Sequence, residues 1–188
     1  ARERYLARHV RGAVMMDHET DLSENGSDAA RGGRHPLPNP KSFGVLLGKK
    51  GITAFTHVLV YDDKSGANAA ARFWWMMRSV GHKNVQVIDG GLSALEEAGV
   101  PVETGPESSL KSEQFYPTTD WQFPLADMAG VDEVRSDPDF LVVDVREGYR
   151  YRGESEPIDP VAGHIPGAIN IPYLSNLEAN GRFRSPEQ

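Results

Sequence analysis

The stretch His164-Ile165-Pro166-Gly167-Ala168-Ile169 decides how this chain is read, because His9-Val10-Arg11-Gly12-Ala13-Val14 says nearly the same thing close to the other end. Histidine, a branched apolar residue, one variable position, glycine, alanine and a further apolar residue recur about a domain length apart, so the chain reads as two copies of one structural unit. In each copy the glycine supplies backbone freedom for a tight approach, the alanine keeps that approach narrow, and the apolar residues that follow enter a sheet. His9 and His164 read as hydrogen-bonded imidazoles that fix the loop, since a catalytic histidine needs a nucleophile or a metal beside it.

Around these two elements the composition is that of a globular protein. Of 188 residues, 39% are hydrophobic, enough to build soluble cores. The net charge is -7, and the 20 Lys and Arg are scattered among 27 acids, so no basic face is available for nucleic acid. No apolar run approaches the roughly 20 residues of a membrane span, and the opening Ala1-Arg-Glu-Arg-Tyr5 lacks the apolar centre of a signal peptide. The expectation is a soluble cytoplasmic protein with no membrane partner; export is the alternative, because a signal already removed leaves no trace. Cysteine is absent, which leaves no disulfide, no thiolate metal site and no thiol nucleophile in these residues. Nothing in the sequence indicates an oligomeric state.

Strand and helix signals alternate through the middle of the chain. Val58-Leu-Val-Tyr61 is a short apolar run of the kind expected for a strand buried on both faces, and it ends in Asp62-Asp63. From Ala69 to Arg78 strong helix formers run without Gly or Pro until Gly81, predicting a helix buried over much of its circumference. Trp74, Trp75, Met76 and Met77 in that helix read as core and not as an aromatic ligand stripe. Val85 to Ile88 reads as the next strand, and Leu92 to Ala98 as a helix stopped by Gly99 and Pro101. This order implies right-handed crossovers in a mainly parallel sheet. The Pro- and Ser-rich stretch after Thr104 reads as a connector. Beyond it, Val131 to Ser136 is predicted as a short helix, Phe140 to Val145 as a fully buried strand, and Ile169 to Pro172 as another strand.

Longer motifs surround the second repeated element: Asp144-Val-Arg-Glu-Gly-Tyr-Arg150-Tyr-Arg-Gly153, then Glu156-Pro157-Ile-Asp-Pro160, then Gly163 through Pro172. Together they resemble the second domain of the tandem rhodaneses, the thiosulfate and 3-mercaptopyruvate sulfurtransferases. Tyr61-Asp62, Arg72 to Met77, Gly81-His82 and Asp89-Gly-Gly91 resemble the non-catalytic first domain of the same family. The fold class this implies is α/β: a rhodanese-like parallel sheet flanked by helices, in two tandem domains that are both incomplete. Residues 1–103 would be the first domain without its opening helix and strand, 104–130 a linker, and 131–188 the start of a catalytic-type domain that ends before its cysteine loop. So small a second unit needs a cover, and we expect strand Phe140 to Val145 to fill the place of the strand missing from the first unit.

The resemblance implies a persulfide relay. A loop cysteine takes sulfane sulfur from a small anionic donor such as thiosulfate or 3-mercaptopyruvate and passes it to a thiophilic acceptor such as cyanide or a thiol. The inward backbone N–H groups of the loop hold the charge, so no metal or organic cofactor is implied. In the first unit the matching loop is Asp62, Asp63, Lys64, Ser65, Gly66 and Ala67, where Asp62 stands at the cysteine position and cannot carry sulfur. An acid pair or metal site made by Asp62 and Asp63 is disfavoured, because adjacent residues at a strand end point apart.

Arg150 matches the family position whose guanidinium meets the anionic donor, its planar fork suiting carboxylate or sulfonate oxygens; a plain salt bridge is the alternative. Arg146 and Arg152 read as structural. His35 resembles the histidine that the first domain extends toward the substrate, with Asp17 or Glu19 as its partner across the loop Ser23 to Gly33. Ile158 stands where mercaptopyruvate-type members carry a second arginine, which favours thiosulfate. Two functions follow from the resemblance, a sulfurtransferase or a catalytically silent rhodanese-like binding or regulatory module; a phosphatase of related fold would also need a loop cysteine.

Overall fold

Residues 1–24, 33–106 and 114–187 are described by a computed structural model, in which the chain divides into two units, Ala1–Phe123 and Pro124–Gln188. The first carries α1 (Arg2–Ala7), β1 (His9–Val10), α2 (Pro40–Lys49), β2 (Val58–Val60), α3 (Ala69–Ser79), β3 (Val85–Val87), α4 (Gly91–Glu97) and β4 (Val102–Glu103). The second carries α5 (Met128–Val134), β5 (Val143–Asp144), α6 (Gly148–Tyr151), β6 (Ile169–Asn170) and a 3₁₀ turn at Tyr173–Asn176. The fold is α/β. Strands β2 and β3 pair in parallel with Val58 beside Val85 and Val60 beside Val87, joined through α3 as the alternation of signals predicts. β5 and β6 pair in parallel as well, whereas β1 and β4 are antiparallel.

The first core gathers on one side of α3, where Phe73, Met76 and Met77 meet Phe43 and Leu47 of α2. Trp75 packs partly buried against this core, while Trp74 on the opposite side is 37% exposed. Helix α2, which the sequence reading passes over, begins as a helix should: Asn39 accepts the Lys41 N–H through its side chain at 2.9 Å, and Pro40 occupies the first turn.

Several expectations are corrected. A helix does precede His9, because Arg2–Ala7 is built mostly of good helix formers. β2 is not buried on both faces, since Leu59 is 58% exposed. The predicted strand Phe140 to Val145 contracts to Val143–Asp144, and Phe140, Leu141 and Val145 are all more than half exposed. Its partner is β6 of its own unit, with Val143 beside Ile169, so it does not complete the first unit's sheet. The helix expected from Val131 starts earlier, at Met128, because the Asp127 carboxylate accepts the Gly130 N–H at 2.8 Å and caps it.

The boundary between the units lies between Phe123 and Pro124, inside the stretch 104–130 read as a linker. Residues 114–123 are no loose connector: Tyr116 is buried in the first core. Gly44 and Gly48, one turn apart on α2, leave the space it needs, for a Cβ on Gly48 would run into the Gln114 carbonyl and one on Gly44 into Thr118. Tyr116 then donates to His82 Nδ1 at 2.8 Å, and Nε2 of that buried imidazole donates to the Thr56 carbonyl at 3.0 Å.

Candidate functional site

The repeated His-x-x-Gly-Ala elements fold alike. His9 stacks on Tyr5 with ring centroids 3.9 Å apart, and His164 on Tyr151 at 3.8 Å. Each imidazole Nδ1 donates to the carbonyl of the tyrosine it stacks on, at 2.8 and 2.7 Å. Each tyrosine hydroxyl donates to the carbonyl of the alanine in the element, Ala13 at 2.5 Å and Ala168 at 2.7 Å. The glycines between them have φ of +77° and +93°, which only glycine adopts without strain. The histidines are therefore loop fasteners.

The loop after β2 wraps around one carboxylate. Asp62 Oδ1 accepts the N–H groups of Lys64 and Gly66 at 2.8 and 2.7 Å, and Oδ2 those of Asn68 and Ala70 at 3.2 and 3.0 Å. One of these donors, Ala70, lies in the first turn of α3, where no helix carbonyl can satisfy a backbone N–H. Ser65 (φ +63°) and Gly66 (φ +83°) turn the backbone inward. The loop rests on Gly91, where a Cβ would strike the Asp62 carbonyl oxygen. Asp63 points elsewhere, to Arg4. The geometry is an anion nest already filled by a side chain.

In the second unit Arg150 lies on α6, 8% exposed. Its Nε donates to both Glu156 oxygens at 3.0 and 3.1 Å, and its Nη2 to Asp159 at 2.7 Å. Glu156 also accepts the N–H groups of Ile158 and Asp159, both at 3.0 Å. The Arg150 guanidinium and these two N–H groups hold the Glu156 carboxyl down to about 2. Beside it Arg146 donates to Asp144 at 2.6 Å and to the Gly163 carbonyl at 2.6 Å, with Glu156 3.4 Å away. Arg146 ties the end of β5 to the second repeated element, and its hydrogen bonds hold the Asp144 carboxyl below the usual range. Arg152 pairs with Glu154 at 2.6 Å on the surface. The sequence reading picks out Arg150 but neither of its carboxylate partners.

His35 Nε2 meets Glu19 at 2.9 Å, so Glu19 and not Asp17 is its partner. This bond holds the Glu19 carboxyl below its ordinary value. His18 stands edge-on to His35 with centroids 4.3 Å apart, and burial, followed by the charge of His35, lowers its pKa. Ligand atoms of His18, Glu19 and His35 lie within 4.8 Å of one another, the one group among the described residues that could hold a metal ion. The backbone carbonyls flanking this corner, Leu22, His35 and Pro36, are gathered by Arg72 of α3 at 2.8, 2.9 and 3.1 Å. Most of the loop Ser23 to Gly33, residues 25–32, lies outside the described residues. No helix among the described residues is long and apolar enough to cross a membrane.

Comparison with known proteins gives one consistent answer. Residues 1–98 match the Rhodanese-like domain family. The chain is 41% identical over 187 residues to "Probable 3-mercaptopyruvate sulfurtransferase" of Pseudomonas aeruginosa, covering 98% of this chain and 64% of the relative. It is 35% identical over 192 residues to bovine thiosulfate sulfurtransferase, covering 100% of this chain and 62% of the relative. Among solved structures, 3-mercaptopyruvate sulfurtransferase from Leishmania major superposes over 99% of this chain and 51% of its own, with a TM-score of 0.77 at 35% identity. The Escherichia coli protein SseA does so over 99% and 67%, with a TM-score of 0.78 at 27% identity. The chain thus spans a little under two thirds of the length of these curated relatives.

Proposed function

The chain belongs to the rhodanese-like family, and on that premise we propose that it forms part of a sulfurtransferase that moves sulfane sulfur from a small anionic donor to a thiophilic acceptor. The observation that carries this reading is the Asp62 nest. Four backbone N–H groups converge on one anionic side chain, in the arrangement that would stabilise a thiolate and then a persulfide if cysteine stood there. In this loop the carboxylate occupies the nest and carries no sulfur.

The sulfur carrier in this proposal is a cysteine of the same polypeptide outside these 188 residues, none of which is cysteine. Its thiolate attacks the outer sulfur of thiosulfate; the S–S bond to sulfite breaks and sulfite leaves with the electron pair. Cyanide or a thiolate then takes the outer sulfur of the persulfide and returns the cysteine thiolate. Arg150 is the fork that orients the anionic donor, and His35, set by Glu19, is the candidate substrate-binding group of the first unit. Ile158 leaves a single guanidinium for the donor's charge, which favours thiosulfate over 3-mercaptopyruvate. The reading needs no cofactor and places the protein in the cytoplasm, where reduced thiols serve as acceptors.

The test compares two proteins in thiosulfate:cyanide and 3-mercaptopyruvate assays: the complete product of the gene and the 188-residue chain. The proposal expects thiocyanate from the complete product and none above blank from the chain. A silent complete product would support the binding-module reading instead.

A further inference from the structure

We propose that Asp159 is a built-in counter-ion that keeps the Arg150 fork closed, and that an anionic sulfur donor enters by displacing its carboxylate. The proposal rests on the reading of Arg150 as the donor's partner, and it names what must give way for that reading to work.

Two guanidiniums, Arg146 and Arg150, face three carboxylates, Asp144, Glu156 and Asp159. The cluster therefore carries one negative charge in excess and repels an approaching anion. One carboxylate has to withdraw before a donor can bind, and the three are not equivalent. The Asp144 carboxylate, 12% exposed, holds Arg146 through three contacts and the Arg146 backbone N–H. Glu156, 4% exposed, binds both guanidiniums and two backbone N–H groups. Asp159 is 39% exposed; its carboxylate has one short contact, to Arg150 at 2.7 Å, and a distant one to Arg146 at 3.9 Å.

Rotating the Asp159 side chain into solvent breaks one short contact, to Arg150, and the 3.9 Å approach to Arg146. Its backbone stays in place, because the Asp159 N–H is bonded to Glu156 and Pro157 and Pro160 stiffen the turn around it. Arg150 remains anchored to Glu156 through Nε and through Nη2, which lies 2.9 Å from Glu156 Oε1, while the second N–H of Nη2 loses its acceptor. An anion with a carboxylate or sulfonate-like end then takes over the bond that Asp159 gave up, so one anionic group replaces another at the fork. Asp159 thereby sets a threshold: only an anion that binds the fork better than a tethered carboxylate opens it.

The experiment titrates the 188-residue chain with sodium thiosulfate and, separately, sodium pyruvate at constant ionic strength, following the Arg150 Nε–H resonance. Asp159→Asn is expected to tighten binding about fivefold, the worth of a partly exposed ion pair. Asp159→Ser is expected to move the same way, and Asp139→Asn, which removes the same charge elsewhere in the unit, to change nothing. A tightening for thiosulfate alone or for both anions supports the proposal and identifies the preferred head group. Unchanged or weaker affinity in both Asp159 variants, with Arg150 still responding, overturns the counter-ion role and leaves the Arg150 reading standing. No response at Arg150 in any of the chains overturns both.

Discussion

Tyr151 lies face to face with His164, ring centroids 3.8 Å apart, and accepts that histidine's Nδ1–H on its own carbonyl. Tyr5 does the same for His9. The tyrosine precedes its histidine by four residues in one unit and by thirteen in the other, so no common spacing announces the pair in sequence. Because each hydroxyl also closes on the alanine carbonyl of its element, Tyr5→Phe and Tyr151→Phe should each cost about 1 kcal/mol. Urea unfolding of the two variants measures this, and equal stability to the parent in both would mean that the fastener contributes nothing.

The Asp62 nest predicts the behaviour of a thiol placed in it. Asp62→Cys should hold about tenfold more thiolate near neutral pH than Asp63→Cys next to it, because only the first is met by converging N–H groups. Rates of alkylation against pH compare the two; equal rates would show that the nest does not survive loss of the carboxylate. Asp62→Ala should destabilise the unit by about 1–3 kcal/mol by leaving several donors unpaired.

Tyr116 tests whether residues 114–123 belong to the first core. Its hydroxyl is pushed up to about 12 by burial and fills the acceptor nitrogen of His82, which lies 3% exposed. Tyr116→Phe should therefore cost about 1–3 kcal/mol, a buried imidazole nitrogen being left without a donor. Thermal unfolding reads the loss, and a cost near zero would return this segment to the status of a linker.

Helices α3 and α4 and strands β2 and β3 stand out in the sequence because their apolar runs are bounded by Gly, Pro and acidic turns. Residues 114–123 look like a connector because Pro, Thr and Gln dominate locally; the reason they pack, the bare flank of Gly44 and Gly48 on α2, is seventy residues away in sequence. Phe140 to Val145 has the composition of a buried strand, yet with β6 as its one strand partner among the described residues its apolar side chains stay exposed. Among the candidate site residues, Arg150 and His35 are picked out by motif, and Asp62 by position. Asp159 is not, since it looks like an ordinary turn residue until the fork of Arg150 is seen beside it.

The acid response of the second unit follows from Glu156. Its folded pKa lies at about 2 against an ordinary 4.5, so its contribution to stability is whole above about 4.5 and is lost as the pH falls toward about 2. Asp144, also lowered, acts in the same direction. Glu156→Gln should be less stable at neutral pH and should flatten the decline between pH 4.5 and 2. Unfolding midpoints across that range check it; parallel profiles for the two proteins would place the acid lability elsewhere.

In the proposed relay sulfur travels on a cysteine outside these residues while the loop at Asp62 stays inert. Intact mass after incubation with thiosulfate tests it directly. The complete gene product is predicted to gain one sulfur atom, removed again by cyanide, and the 188-residue chain to gain none. A cyanide-labile sulfur on the 188-residue chain, or none on the complete product, would overturn the relay.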